Sequence, residues 1–239
     1  MRVEVVMRRS RFENIIAVAG FVTAMALTAS IVWSAQASAS NATTPAQLKT
    51  LIAALQRHYK ETDSFQANFK ETLTRVGAPP HDRSGIIYYQ RPGRLHWEFT
   101  DPQTETIVSD GSLIYDYDPG LNQVVETPVR NAFKSHGVAA VLLGAGDLSR
   151  DFETSAAASP PDDGLGHIVL TPKGGGDRIE LGIDRQTLNI MTLGLKDALG
   201  NRTELQFSAI ERNLPLDAKL FRFTVPAGAD IVNSEGSQS

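Results

Sequence analysis

Between residues 44 and 60 the apolar positions recur at helical spacing. Leu48, Leu51, Ile52, Leu55 and Tyr59 form one stripe, while Lys49, Gln56, Arg57 and Lys60 fall elsewhere on the wheel. Thr44 is placed to cap this segment, with Pro45 at the first helical position and Gln47 completing a capping-box pattern. The pattern predicts one amphipathic helix from Thr44 to about Lys60 with a single face to bury. From Ser64 onward the period changes to two. The runs FQANFKETLTR, GIIYYQR, LHWEFT, TIVSDG, LIYDYD, QVVETPV, HIVLTPK, RIELGID, IMTLGLK, RTELQFSAI and FRFTV each read as a strand, punctuated by turn signals. Neighbouring strands joined by short turns must pair antiparallel. The expected architecture is therefore mainly β, a meander of about eleven strands curled into a barrel or deep half-barrel.

One interruption, NAFKSHGVAAVLLGA from Asn131 to Ala145, places Val138, Val141 and Leu142 as in a short helix. The stretch ASPPDDGLG reads as an exposed loop, KGGGDR as a loose hairpin connection, and the chain after Gly228 is expected to fray. No internal repeat and no second folded domain is evident.

Alternation assigns faces. Leu95, Trp97 and Phe99 share one; so do Tyr115 and Tyr117, Ile179, Leu181 and Ile183, and Phe221, Phe223 and Val225. Ordinary core packing accounts for any one of these sets. A curled sheet of about eleven strands, however, has more concave area than its own side chains readily fill, so a lined cavity is expected, covered by the capped helix and the 131–145 segment. In the turn QRPGRL the loop length decides where Arg91 points. A two-residue Pro92-Gly93 turn would put Arg91 on the outer face. A three-residue loop, favoured because a trans proline fits two-residue hairpins poorly, pairs Arg91 with Leu95 and turns it inward, leaving Arg94 to solvent.

Composition narrows the class. Arg2, Arg8, Arg9 and Arg11 precede a mostly apolar run from Ile15 to Trp33 that ends in Ala35-Gln36-Ala37-Ser38-Ala39, the pattern of a secretory signal. Residues 1–37 are expected to be removed, with cleavage after Ala37 or Ala39, leaving a domain over 44–230 and a flexible tail over 231–239. Loss of four arginines against Glu4 and Glu13 takes the formal charge from −4 to −6. A nucleic-acid partner is not expected for such a chain. There is no cysteine, so an exported form is held by its core alone and cannot be lipidated at a cysteine. The five histidines show no metal-like spacing, and nucleophile-elbow, P-loop and dinucleotide fingerprints are absent. Ser109-Asp110-Gly111 reads as a hairpin turn rather than a nucleophile, and Asp162-Asp163 as a solvated pair. No enzyme activity, metal or cofactor is expected.

The segment QRPGRLHWEFTDPQTETIVSDGSLIYDYDPGLNQV resembles the signature region of the periplasmic outer-membrane lipoprotein carrier family, LolA. DSFQANFKE, HIVLTPK and FRFTVPAGA fit in the same order and at similar spacing, over roughly Pro45 to Asp230. The SPPDDGLG loop, the long tail and a lid region rich in small residues depart from it. The resemblance implies an unclosed β-barrel whose apolar concavity is covered by short helices. It also implies a monomeric periplasmic carrier that takes acyl chains of lipoproteins from an inner-membrane ABC transporter and delivers them to an outer-membrane acceptor. On that basis the cavity is expected to be lined by Phe65, Phe69, Ile87, Tyr89, Leu95, Trp97, Phe99, Tyr115, Leu181, Phe207 and Phe223. The lid is expected to present Leu48, Leu51, Ile52, Leu55, Val141 and Leu142, with Arg91 as its latch on helix-end carbonyls. The alternatives are an envelope-stress sensor of the same fold, which carries an additional domain for which this chain has no room, and a secreted hydrolase built on Ser109 or His96.

Overall fold

The computed structural model describes residues 44–129, 147–158 and 160–233. The chain starts with helix α1 (Pro45–Lys60), closed at its N-terminus by a reciprocal cap: Gln47 N–H donates to Thr44 Oγ1 at 3.3 Å and Thr44 N–H donates to Gln47 Oε1 at 2.8 Å. The strands are β1 (Ser64–Thr74), β2 (His81–Gln90), β3 (Arg94–Asp101), β4 (Glu105–Asp110), β5 (Leu113–Asp118) and β6 (Gln123–Pro128). After the short helix α2 (Leu148–Asp151) come β7 (Phe152–Ala156), β8 (Gly166–Pro172), β9 (Arg178–Ile183), β10 (Ile190–Lys196), β11 (Arg202–Arg212), a 3-10 turn (Ala218–Phe221) and β12 (Asp230–Asn233).

The twelve strands of the described residues form one sheet, ordered β12-β6-β5-β4-β3-β2-β1-β11-β10-β9-β8-β7. Every pairing is antiparallel except that of β12 with β6, and β12 and β7 remain as edges, so the barrel is not closed. Register follows the alternation. One cross-strand row runs Ile168, Leu181, Leu193, Leu205 and Glu71, and another joins Phe207, Phe69, Gly85 and Phe99. Residues from distant strands, Phe69 and Phe99 on one half and Ile168, Leu181 and Leu193 on the other, meet in a single buried cluster with Ile52 and Leu55 of α1. The sheet therefore curls around one core, with α1 laid across its concave face.

Three expectations are corrected. FRFTV is not a strand: Phe221 closes the 3-10 turn, whose cap is the Asp217 carboxylate accepting from Lys219 N–H. Two strands stand where none was expected, β7 in a small-residue stretch and β12 beyond Gly228, which raises the total to twelve. Asp230–Asn233 does not fray, because it pairs with Gln123–Glu126 and is tied at its start by Asp230 N–H donating to the Asn122 carbonyl at 3.0 Å. The expected helix over 131–145, with Val141 and Leu142, lies outside the described residues.

Candidate functional site

The concave face is built by one phase of the alternation. Phe65, Ala67 and Phe69 of β1, Ile87 and Tyr89 of β2, and Leu95, Trp97 and Phe99 of β3 share this face in register, with Leu181 and Phe207 from the other half. Gly85 leaves a gap between Phe69 and Phe99, whose rings meet edge-on at 5.1 Å; Trp97 also packs edge-on against Phe69 at 5.2 Å. Trp97 Nε1 is buried and has no hydrogen-bond partner among the described residues.

Into the same buried cluster α1 sets Leu48, Leu51, Ile52 and Leu55, the last two 4% and 1% exposed. Near its C-terminal end the space left between helix and sheet, lined by Tyr59, Phe65, Ala67, Ile190 and Phe207, is only ≈ 20 Å³, about enough for one water molecule. The Tyr59 hydroxyl, accepting from Ile190 N–H at 3.1 Å, is pushed up to about 12 by burial.

Arg91 stands at the end of α1. Its Nη2 donates to the Tyr59 carbonyl at 2.8 Å and to the Thr62 carbonyl at 3.2 Å, and its backbone N–H donates to the Asp63 carbonyl at 2.8 Å. Carbonyls in the last helical turn have no intrahelical partner, and a cation there also meets the negative end of the helix dipole. The route to this geometry differs from the expected one. Gln90 pairs with Arg94 and Tyr89 with Leu95, so the loop is Arg91-Pro92-Gly93, and the Arg91-Pro92 peptide is cis rather than trans. The pairing is displaced by two residues from the expected register, which preserves which side chains share a face.

The opposite end of the concave face is charged, which the sequence reading missed. Arg83 donates from Nε to Glu71 at 2.7 Å and from Nη1 to Glu105 at 2.6 Å, and its guanidinium lies 3.9 Å from the Phe99 ring centre. Asp116, paired with Ile107 and so on the same face, is raised to about 6 by burial and then by the Glu105 charge, with Arg83 opposing. The signal was available: Glu71 is in phase with Phe65 and Phe69, and Asp116 with Ile114.

The family model for the outer membrane lipoprotein carrier protein LolA matches residues 60–224. The chain belongs to the LolA family. An outer-membrane lipoprotein carrier protein of Cupriavidus necator is 39% identical over 62% of this chain and 70% of its own length; one from Methylobacillus flagellatus is 34% identical over 76% and 88%. Among solved structures, a LolA superfamily protein from Nitrosomonas europaea aligns with a TM-score of 0.44 and 12% identity over 74% of this chain and 97% of that one.

Two residues expected in the LolA cavity lie elsewhere. Tyr115 pairs with Val108, opposite in phase to Ile107 and Trp97, so it faces the convex side. Phe223 follows it there, stacking on Tyr115 at 5.2 Å. The C-terminal segment covers this outer face. Phe221 is 2% exposed, and His96 Nδ1–H donates to the Leu220 carbonyl at 2.7 Å. Aromatics of LIYDYD therefore pack outward under a chain segment that local alternation cannot reveal. Ser109 and His96 also sit on opposite faces. Ser109, 1% exposed, donates to the Gly93 carbonyl at 2.9 Å and accepts from Gly111 N–H, a turn-closing role. Among the described residues no group of three or more His, Asp or Glu side chains converges as metal ligands would.

Proposed function

We propose that this chain is a periplasmic carrier that shelters the acyl chains of lipoproteins on its concave face in exchange for helix α1. The observation that carries the reading is a continuous apolar face on the curled sheet with one amphipathic helix packed against it, Ile52 and Leu55 buried in the same cluster. Ile52 and Leu55, fully buried, hold the cover with about 3–6 kcal/mol, and the half-buried Leu48 and Leu51 add less. Three acyl chains of about fifteen methylenes represent on the order of 35 kcal/mol of burial as an upper figure. Cargo therefore displaces the lid readily, while the lid's return lowers the cost of letting cargo go. Without that return the empty wall would be an exposed apolar patch prone to association.

In this reading Arg91 is the latch, Leu48, Leu51, Ile52 and Leu55 are the sealing surface, and Phe65, Phe69, Ile87, Tyr89, Leu95, Trp97, Phe99, Leu181 and Phe207 are the wall. The donor is an inner-membrane ABC transporter and the recipient an outer-membrane acceptor; the carrier works as a monomer after removal of its signal, with no catalytic step. The test is mass spectrometry of protein purified from the periplasm under non-denaturing conditions. Co-purifying acylated lipoprotein supports the carrier. Turnover of ester substrates that is lost on Ser109→Ala would replace it with a hydrolase.

A further inference from the structure

Arg91 grips α1 from one side of β1 only. On the other side, where Arg212 pairs with Phe65 at the start of β1, a second guanidinium reaches the same helix end. Arg212 Nη1 donates to His58 Nδ1 at 2.9 Å, and its Nε donates to Thr62 Oγ1 at 3.0 Å. The Thr62 hydroxyl in turn donates to the His58 carbonyl at 2.8 Å. A guanidinium has no acceptor, so Nδ1 must offer its lone pair and the imidazole proton sits on Nε2, from which it donates to Asn189 Oδ1 at 3.3 Å. His58 is 9% exposed and is held from β11, from the turn before β10 and from its own helix.

We infer that Arg212 and His58 form a second catch on the lid helix, set across β1 from Arg91, and that protonation of His58 opens it. A proton on Nδ1 places two donors face to face and a second positive charge beside Arg212, which removes the tie from β11 while leaving the Arg91 bonds intact. The groups facing His58 are Arg212 from β11, the neutral Asn189 side chain, the Tyr59 ring edge-on at 5.2 Å, and Glu61 just past the helix. Burial and then the Arg212 charge lower the imidazole from its ordinary value, against smaller opposing effects of Asn189 and Glu61. The free, open state therefore takes up a proton at higher pH than the closed one, and closure weakens as pH falls below about 6.5. Arg212 and His58 are positioning residues: they act through the placement of α1.

The inference rests on α1 being the lid, and its test measures lid opening without lipid. The chain has no cysteine, so Ile52→Cys is the only thiol, buried when the lid is closed. The exposed Lys49→Cys supplies the intrinsic pH dependence of labelling. The ratio of labelling rates, position 52 over position 49, is expected to rise on the order of tenfold from about pH 7.5 to about pH 5.5. His58→Gln should flatten that response, and Arg212→Gln should raise the ratio at all pH values and flatten it as well. Asp116→Asn, which removes a buried carboxyl that also titrates in this window, should retain the full rise. A rise that persists in His58→Gln, or disappears in Asp116→Asn, overturns the inference. So does nuclear magnetic resonance of the otherwise unaltered protein if His58 titrates above its ordinary value. Intact gating with no uptake of a fluorescent fatty acid rejects the carrier reading instead; uptake with a flat ratio rejects the catch.

Discussion

Leu55→Ala separates a lid that competes with cargo from one that merely decorates the fold. Leu55 is 1% exposed in the closed protein and packs into the buried cluster beneath α1. Truncating it removes burial and leaves a cavity, a loss of about 2–5 kcal/mol from the closed state. If cargo takes the place of α1 on the wall, little of that loss recurs in the loaded state. Mass action then requires the variant to bind acyl chains more tightly, by about 30-fold if only 2 kcal/mol separates the two effects. Urea unfolding of the free protein gives the first quantity, and titration with a fluorescent fatty acid gives the second. Ile87→Ala is the matched control, because Ile87 is 0% exposed and belongs to the sheet rather than to α1. It should destabilise comparably without tightening binding. If Leu55→Ala lowers stability by the stated amount yet leaves acyl affinity equal or weaker, the exchange of lid for cargo is refuted.

Arg91→Leu deletes charge-assisted bonds to the Tyr59 and Thr62 carbonyls, each worth about 1.5–3 kcal/mol. The variant should keep cargo but hand it over slowly in a two-membrane transfer assay; transfer at the normal rate would eliminate Arg91 as the latch. Asp116→Asn should stabilise the protein by about 1–3 kcal/mol at pH 7. The Asp116 group is raised from 3.8 to about 6, so its cost is full above pH 6 and vanishes below about pH 4. Melting temperatures of the two proteins should therefore converge in acid. Gly85→Ala should cost about 3 kcal/mol or more in thermal unfolding, because an added Cβ would overlap the Glu98 backbone carbonyl.

Legibility in the sequence tracked the range of the interaction responsible. α1 was readable because Thr44, Pro45 and Gln47 write its start locally and its stripe repeats over four turns. The long strands were readable from strict alternation. β7 and β12 were not, since five and four residues carry too short a pattern, and β12 exists only through pairing with β6, about a hundred residues earlier. Tyr115 and Phe223 were assigned to the wrong face for a related reason: either phase of LIYDYD is apolar enough to be buried, and the C-terminal crossing decides. Arg91 shows how a register error of two residues leaves the face unchanged. The Arg212 and His58 pairing joins residues 154 positions apart, which no local pattern announces.

The position of β1 in the sheet has one more consequence. It is the seventh of twelve strands, bonded on both flanks, and α1 runs directly into it. Helix α1 is thus hung from the middle of the sheet, five strands from one margin and six from the other. Swinging it outward turns a short segment around Glu61 to Asp63 and breaks no strand ladder. If α1 is the lid, a container hinged at its centre can be emptied and refilled without its seams ever being the part that gives.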